Sequence, residues 1–216
     1  MAKQYGIVVD IGSCIGCDVC TITCKQANNL VPSKDDVPGS REWPGWIQVL
    51  RILKGVYPDL SMHYLPVMCM HCKDAPCVEA CPWDAIYQRE DGVVLVNEDK
   101  CDACKDFAGG PKCIPACPYD VIHFHEEKGV VGFCTLCAER LDACLEPACM
   151  QACEGRVFTV GDLGDPNSEV SKIVRAAGDR AFVLKPEKGA GPSLWYIRPP
   201  ELSLDEISGV VEKVSG

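Results

Sequence analysis

The alternation of apolar and polar residues predicts short strands joined by tight turns. Residues 85–87 and 93–96 are largely apolar and rich in β-branched side chains, and an Asp-Gly pair lies between them. Because Asp-Gly between two such runs is a strong turn signal, these residues predict an antiparallel hairpin. Residues 121–125 and 130–133 predict a second hairpin, with its turn at residues 126–129.

The two ends of the chain add one strand and one helix to this pattern. Residues 5–9 are apolar and predict a strand. Asp165 and Pro166 can begin a helix, since proline is favoured at the first helical position, and Gly178 can end it. The apolar residues of this helix recur at helical spacing: Val170, Ile173, Val174 and Ala177. We expect the amphipathic helix either to pack on the chain's own body or to contact a partner protein.

The predicted strands lead into groups of closely spaced cysteines. Sixteen of the 17 cysteines form four quartets, each beginning C-x2-C and ending C-x3-C. In chain order the quartets are Cys14, Cys17, Cys20 and Cys24; Cys69, Cys72, Cys77 and Cys81; Cys101, Cys104, Cys113 and Cys117; and Cys134, Cys137, Cys149 and Cys153. Only the spacer between the two pairs changes, so the chain repeats one metal-binding pattern.

The repeat predicts an α+β fold made of duplicated bacterial-ferredoxin-like units. The second and third quartets are adjacent and predict one unit over residues 69–117. The first and fourth quartets predict the other unit over residues 1–24 and 118–153. Residues 25–68 form a long insertion, and residues 154–216 form a C-terminal extension without ligand cysteines that could clasp a partner.

Cysteine content and charge narrow the possible functions. With 17 cysteines in 216 residues, much of the stability must come from whatever the thiols bind. The net charge of −10 argues against nucleic acid and anionic membrane surfaces as partners. No apolar run reaches the roughly 18 residues of a transmembrane helix. The N-terminus lacks the apolar stretch of a signal peptide, so we expect neither an export signal nor a disulfide scaffold.

The spacing of the cysteines favours iron–sulfur clusters. C-x2-C-x2-C-x3-C followed by proline is the pattern with which bacterial ferredoxins bind 4Fe–4S clusters, and proline follows Cys81 and Cys117 here. We expect short helices around the C-x3-C endings and between the second and third cysteines, with the prolines turning the chain away. Zinc remains an alternative, because C-x2-C pairs also bind zinc, and disulfides are a weaker one.

In the ferredoxin pattern, three cysteines of one quartet bind a cluster and the fourth reaches across to a neighbouring cluster. Applied here, this pattern gives four clusters, although the spacing alone leaves the crossed assignment open. The expected ligand sets are Cys14, Cys17, Cys20 and Cys153; Cys134, Cys137, Cys149 and Cys24; Cys69, Cys72, Cys77 and Cys117; and Cys101, Cys104, Cys113 and Cys81.

Two residues near the quartets have competing interpretations. Cys144 is not needed as a ligand and is expected to be a small buried side chain, with replacement of Cys149 as the alternative. His71 lies between two expected ligands, and we expect it to pack beside the site and not to bind metal. No nucleophile–base pair or phosphate-binding glycine loop stands out, so we expect the chain to carry electrons without a catalytic residue of its own.

The four quartets in this order, with the long insertion after the first, resemble the iron–sulfur subunits of the dimethyl sulfoxide reductase family of molybdenum or tungsten enzymes. Residues 69–77 and 85–96 are similar to the small subunit of pyrogallol–phloroglucinol transhydroxylase. Residues 161–174 and 183–199 are similar to the small subunits of respiratory arsenate and polysulfide reductases. The third quartet departs from the family pattern, because eight residues separate Cys104 from Cys113.

The resemblance implies a subunit that transfers electrons. It implies that four 4Fe–4S clusters exchange electrons with the pterin site of a large molybdenum or tungsten subunit, and that a further redox donor or acceptor completes the path. A free-standing polyferredoxin that serves several partners is the alternative. We expect a cytoplasmic location, with export to the periplasm beside a signal-bearing partner as the alternative.

Overall fold

A computed structural model of the protein describes residues 3–30, 45–125 and 128–214. The strands are β1 Tyr5–Asp10, β2 Ile47–Lys54, β3 Ser61–Met68, β4 Ile86–Gln88, β5 Val94–Val96, β6 His123–His125, β7 Val130–Gly132, β8 Phe158–Asp162, β9 Ala181–Phe182 and β10 Leu194–Ile197. The helices are α1 Val19–Ala27, α2 Pro76–Glu79, α3 Cys113–Ala116, α4 Ala138–Asp142, α5 Ala148–Gln151, α6 Glu169–Ala177 and α7 Leu204–Val214. This mixture of short helices and strands confirms the α+β class.

A four-stranded sheet joins the N-terminal strand to the C-terminal extension. Its strand order is β8-β1-β10-β9, with β1 antiparallel to β8 and parallel to β10. Ile7, Val8 and Val9 in β1 are all buried, because the strand is central and both faces of the sheet are covered. The extension therefore supplies three of the four strands, a pairing that the sequence pattern did not predict.

Helix α6 packs on this sheet through the apolar face that the sequence predicts. Val170 is fully buried against Val8 and Ile197, and Ile173 and Val174 pack at the edge of the same cluster. The apolar face of α6 therefore packs on the chain's own body, which was the first of the two expected arrangements.

The start of α6 differs from the prediction. Ser168 caps the helix, since its Oγ accepts a hydrogen bond from the Ser171 N–H at 3.2 Å. The Asp165 carboxylate instead accepts from the Asn167 N–H at 2.8 Å and closes the preceding turn. The predicted start at Asp165 and Pro166 is therefore wrong, because a second capping residue closer to the apolar face takes the role. Gly178, with a φ of 56°, ends the helix as predicted.

Val170→Ala is expected to lower the free energy of unfolding by about 2 kcal/mol, because the substitution removes buried apolar atoms and leaves a cavity. Denaturant unfolding followed by circular dichroism under anaerobic conditions measures this change. Val56→Ala is the matched control, because Val56 is 79% exposed and should change stability by less than about 0.5 kcal/mol. Equal effects of the two substitutions would contradict the packing of α6 on the sheet.

The long insertion contains a hairpin that the sequence pattern did not reveal. Strands β2 and β3 pair antiparallel from Ile47 opposite Met68 to Lys54 opposite Ser61. Helix α7 packs against β2, and Lys54 forms an ion pair with Glu206 of that helix at 3.3 Å. The remainder of the insertion, residues 31–44, lies outside the described residues.

The two predicted hairpins are present and link successive quartets. Strands β4 and β5 pair antiparallel between the second and third quartets, and β6 and β7 pair antiparallel between the third and fourth. Residues 126 and 127 of the second predicted turn lie outside the described residues. None of the helices in the described ranges combines the length and apolarity needed to cross a bilayer.

Short helices carry the C-x3-C endings, as predicted. Helices α2, α3 and α5 each contain the third cysteine of a quartet, and α1 contains the last two cysteines of the first quartet. After the prolines that follow Cys81 and Cys117, the chain turns through Asp84 and Asp120, both at positive φ. The expected helix between the second and third cysteines forms in the fourth quartet as α4. In the third quartet that prediction is wrong, because the glycine-rich spacer forms turns.

Candidate metal centres

The structure brings cysteines from different quartets together around three cavities. Cavity A is lined by Cys134, Cys137, Cys149 and Cys24. Cavity B is lined by Cys69, Cys72, Cys77 and Cys117. Cavity C is lined by Cys101, Cys104, Cys113 and Cys81. In each cavity, three cysteines of one quartet share the wall with the last cysteine of another.

The remaining four expected ligands lie outside cavities A to C, and two of them are buried, Cys20 and Cys153. We call Cys14, Cys17, Cys20 and Cys153 the surface group. Cys14 is close enough to Cys153, Cys17 and Cys20 for electrostatic interactions with all three. Cys17 is exposed and Cys14 is half-buried, whereas most cysteines of cavities A to C are buried. Cys14 therefore lies near the other three cysteines of the surface group.

The four cysteine sites form a row. Cys20 of the surface group interacts electrostatically with Cys149 of cavity A. Cys134 of cavity A interacts with Cys69 of cavity B, and Cys77 of cavity B interacts with Cys113 of cavity C. These interactions therefore link the sites one after another, from the surface group through A and B to C.

All four C-x2-C loops place one residue in the left-handed region of backbone conformation. The residue before the second cysteine has a positive φ in each loop, and these residues are Gly16 at 68°, His71 at 43°, Ala103 at 52° and Leu136 at 54°. Successive backbone amides that curl in this way form anion-binding concavities of the kind found at iron–sulfur sites. Three of these residues are not glycine, so their positive φ strains the backbone. Backbone strain of this kind persists where the surrounding structure fixes it, often at functional sites.

The amide of the left-handed residue donates to the first sulfur of its loop in three of the four quartets. The Leu136 N–H lies 3.4 Å from the Cys134 Sγ, and the Gly16 and His71 amides donate to Cys14 and Cys69 in the same way. Further N–H groups point at other sulfurs. They are Ala85 N to Cys81 Sγ at 3.3 Å, Val131 N to Cys101 Sγ at 3.5 Å and Asn28 Nδ2 to Cys24 Sγ at 3.6 Å. Such donors stabilise thiolate charge and orient metal ligands.

Burial raises the pKa of several of the ligand thiols. Loss of hydration raises the pKa of several ligand cysteines to about 12, and these are Cys20, Cys24, Cys72, Cys77 and Cys113. Burial also raises the pKa of Cys134 and Cys149 far above the usual value for a thiol. Because metal binding requires thiolates, a bound metal must supply the positive charge that displaces these protons.

The donor set fits a polynuclear iron–sulfur group. Four soft sulfur donors suit iron–sulfur clusters. In the part of the chain that the structure describes, no three His, Cys, Asp or Glu side chains converge closely enough to bind one metal ion. The thiols instead line the walls of cavities A to C. Zinc, with Zn–S bonds of about 2.3 Å, would draw four sulfurs around a single point.

His71 and Cys144 have definite positions beside these sites. The Val94 N–H donates to His71 Nδ1 at 3.0 Å, and burial lowers the histidine pKa to about 4, so a neutral imidazole packs beside cavity B as expected. Cys144 is exposed and has a φ of 57° in the turn after α4. Its expected burial is therefore wrong. Cys149, and not Cys144, lines cavity A.

Several polar side chains on the cavity walls were not assigned roles from the sequence. Trp46 and Asn28 line cavity A, and Tyr119 lines cavity B. Asn28 follows Cys24 by four residues, so the two side chains lie on the same face where α1 ends. This spacing could have indicated from the sequence that Asn28 lies beside the Cys24 sulfur. The position of Trp46 depends on how the insertion folds, which the spacing of the cysteines does not fix.

Comparison with known proteins shows the family to which this chain is related. The family model described as a 4Fe-4S dicluster domain matches residues 60–163. The B subunit of sulfite dehydrogenase from Allochromatium vinosum is 36% identical over 90% of this chain and 82% of that protein. The B subunit of tetrathionate reductase from Salmonella typhimurium is 32% identical over 90% of this chain and 72% of that protein. The corresponding polypeptide of the anaerobic dimethyl sulfoxide reductase of Escherichia coli is 36% identical over 49% of this chain and 50% of that protein.

The extent of these matches differs between relatives. Several other iron–sulfur or small subunits are matched over only about two fifths of their length. The two long matches cover nearly the whole chain, including residues on both sides of the dicluster domain. The resemblance found in the sequence is confirmed: this protein belongs to the iron–sulfur subunits of the dimethyl sulfoxide reductase family and carries 4Fe–4S clusters.

Proposed function

We propose that this protein binds four 4Fe–4S clusters and exchanges electrons with the pterin site of a larger molybdenum or tungsten subunit. The row formed by the surface group and cavities A, B and C carries this proposal. Each site offers four thiols, which is the number that one cluster requires. A row of one-electron centres suits transfer between two distant points, whereas storage does not need a row.

The proposed ligands are the sixteen cysteines of the surface group and of cavities A to C. Their grouping supports the crossed assignment, because the last cysteine of each quartet lies at its partner quartet's site. Cys117 lines cavity B beside Cys72, and Cys81 lines cavity C beside Cys113. The eight-residue spacer between Cys104 and Cys113 does not separate these two cysteines, because both line cavity C.

We propose two ferredoxin-like units with wider boundaries than the quartets alone suggest. Residues 69–117 provide all eight cysteines of cavities B and C, but Phe133 also lines B and Val131 lines C. The second unit therefore extends through hairpin β6–β7. The first unit includes strands β8 and β10 of the extension, since they flank β1 in one sheet.

We propose the surface group as the point at which electrons enter or leave the row. Cys17 is exposed there, and the neighbouring Ile15 and Ile22 are 69% and 60% exposed. Exposed apolar residues beside a redox site are suited to contact a partner protein. The large subunit is the partner that we propose for this surface, and a further redox protein would contact the cavity C end.

The substrate of the large subunit is proposed from the two relatives that match most of the chain. Their names refer to sulfite and tetrathionate, which are oxyanions of sulfur. The resemblance to pyrogallol–phloroglucinol transhydroxylase would instead indicate an aromatic hydroxyl compound. We favour a sulfur oxyanion, because those two relatives align with residues outside the dicluster domain as well.

We also propose a cytoplasmic complex. Fractionation of cells, followed by detection of this protein with an antibody, would test this location.

Isolation of the protein without oxygen from its native cells tests the proposed function. We expect about 16 iron and 16 sulfide ions per chain, and a large molybdenum- or tungsten-containing subunit in the same fractions. Zinc without acid-labile sulfide would contradict the cluster assignment. A protein that purifies alone and reduces many unrelated enzymes equally well would support a polyferredoxin and contradict the subunit proposal.

A further inference from the structure

Tyr119 places a buried hydroxyl on the wall of cavity B. The residue is 5% exposed, and among the described residues its Oη atom has no hydrogen-bond partner of normal geometry. The side chain interacts with the Cys72 thiol, but more loosely than a formed hydrogen bond. A buried hydroxyl without a partner is unfavourable, so its position at a cysteine-lined cavity calls for an explanation.

The backbone on both sides of Tyr119 is held in place. Asp120, at a φ of 54°, donates its N–H to the Cys117 carbonyl at 3.4 Å and closes a turn. The Lys185 Nζ of the C-terminal extension donates to the Pro118 carbonyl at 2.6 Å. The phenol is therefore positioned by the turn after Cys117 and by the extension together, and it is not free to turn towards solvent.

The extension also fixes the opposite wall of cavity B. The Lys73 N–H donates to the Gly191 carbonyl at 2.8 Å, and the Ser193 N–H donates to the Met70 carbonyl at 2.9 Å. These bonds tie the loop that carries Cys72 to the same segment that positions Tyr119. The distance between the phenol and the Cys72 sulfur is thus set by one rigid framework.

We propose that the Tyr119 hydroxyl donates a hydrogen bond to the Cys72 thiolate when cavity B holds its cluster, and so raises the reduction potential of that cluster. Reduction adds one electron and makes the cluster and its four thiolates more negative. A donor to a ligand sulfur stabilises the more negative form more strongly, so the potential rises. This inference rests on the proposed cluster in cavity B, and Tyr119 acts through Cys72 as a positioning and tuning residue.

Cavity C provides an internal contrast. Apart from its cysteines and the Trp83 indole, the side chains that line it in the described ranges are apolar and carry no hydroxyl. Cavity C therefore lacks the side-chain hydroxyl that cavity B has. The expected consequence is that an electron shared between the two sites resides more on the cavity B cluster than it would without the phenol.

The test is a redox titration of Tyr119→Phe, followed by EPR in the anaerobically isolated full chain with dithionite as reductant. The cavity B signal is first identified as the one lost in Cys72→Ser. We expect Tyr119→Phe to keep the iron content and to lower the midpoint potential of that signal alone. Tyr196→Phe is the matched control, because Tyr196 is also fully buried but donates to the Pro66 carbonyl at 3.0 Å, and it should leave the potential of that signal unchanged.

The outcomes separate this inference from the proposed function. An unchanged potential in Tyr119→Phe, or an equal shift of all signals, would overturn the hydrogen bond while leaving the cluster in place. Loss of iron from Tyr119→Phe would show a structural role and would also overturn it. If no signal is lost in Cys72→Ser, then the proposed cluster in cavity B is itself wrong, and the inference falls with it.

Discussion

Cys72→Ser is expected to remove about four of the roughly 16 iron ions per chain and one EPR signal. Cys72 is buried on the wall of cavity B, where it faces Cys69, Cys77 and Cys117. Serine supplies a harder oxygen donor that suits iron–sulfur clusters poorly. Because cluster binding contributes directly to folding, we also expect the region around cavity B to unfold at a lower denaturant concentration.

The 17th cysteine provides the matched control for this substitution. Cys144 is exposed and does not appear on the walls of cavities A to C, so Cys144→Ser should retain all of the iron and every EPR signal. Unchanged iron content and unchanged spectra in Cys72→Ser would refute the ligand assignment for cavity B. A loss of iron in Cys144→Ser would show that the spare cysteine had been misassigned.

Gly16→Ala is expected to remove the cluster of the surface group. Gly16 has a φ of 68°, which costs an L-residue about 1 kcal/mol, and a Cβ atom there would overlap with the ring of Tyr64. Tyr64 lies in β3, where pairing with Arg51 of β2 limits its movement. The loop must therefore shift, and Cys14 and Cys17 shift with it. We expect a loss of about four iron ions, measured by metal analysis of the isolated protein.

Two further variants separate the steric overlap from the backbone strain. Gly110 has the same φ of 68°, but no atom lies within 4 Å of the position of its Cβ. Gly110→Ala should therefore keep its clusters although it carries the same strain. Adding Tyr64→Ala to Gly16→Ala should restore most of the lost iron, because the overlap disappears. Full iron content in Gly16→Ala alone would contradict the close contact between this loop and β3.

The elements closest to the cysteines could be predicted from local pattern. The β4–β5 hairpin follows from an Asp-Gly pair between apolar runs, and α2 and α3 end shortly before the prolines that follow Cys81 and Cys117. Each of these features depends on residues adjacent in sequence. The helix start at Ser168 was missed for a related reason, because Asp165 and Ser168 are both good capping residues and only packing decides between them.

The pairing of distant segments could not be predicted in the same way. Strand β1 is flanked by β8 and β10, about 150 and 190 residues away in sequence, and its uniform apolarity carries no information about the partners. The β2–β3 hairpin lies in an insertion whose pattern resembles no motif. Cys144 was expected to be buried because free cysteines usually are, and the exposed turn after α4 overrides that tendency.

The sequence by itself determined the chemistry of this protein, because four repeats of one cysteine spacing specify soft, closely spaced thiolates. Only the tertiary structure decided how those thiolates are arranged, in three cavities lined by four cysteines each and a surface group next to cavity A. It also decided which other side chains lie beside the thiols, such as Tyr119, which lines cavity B together with Cys72. The physical reason is that ligand identity and local turns depend on neighbouring residues, whereas cavity walls form from segments that meet only when apolar surface is buried.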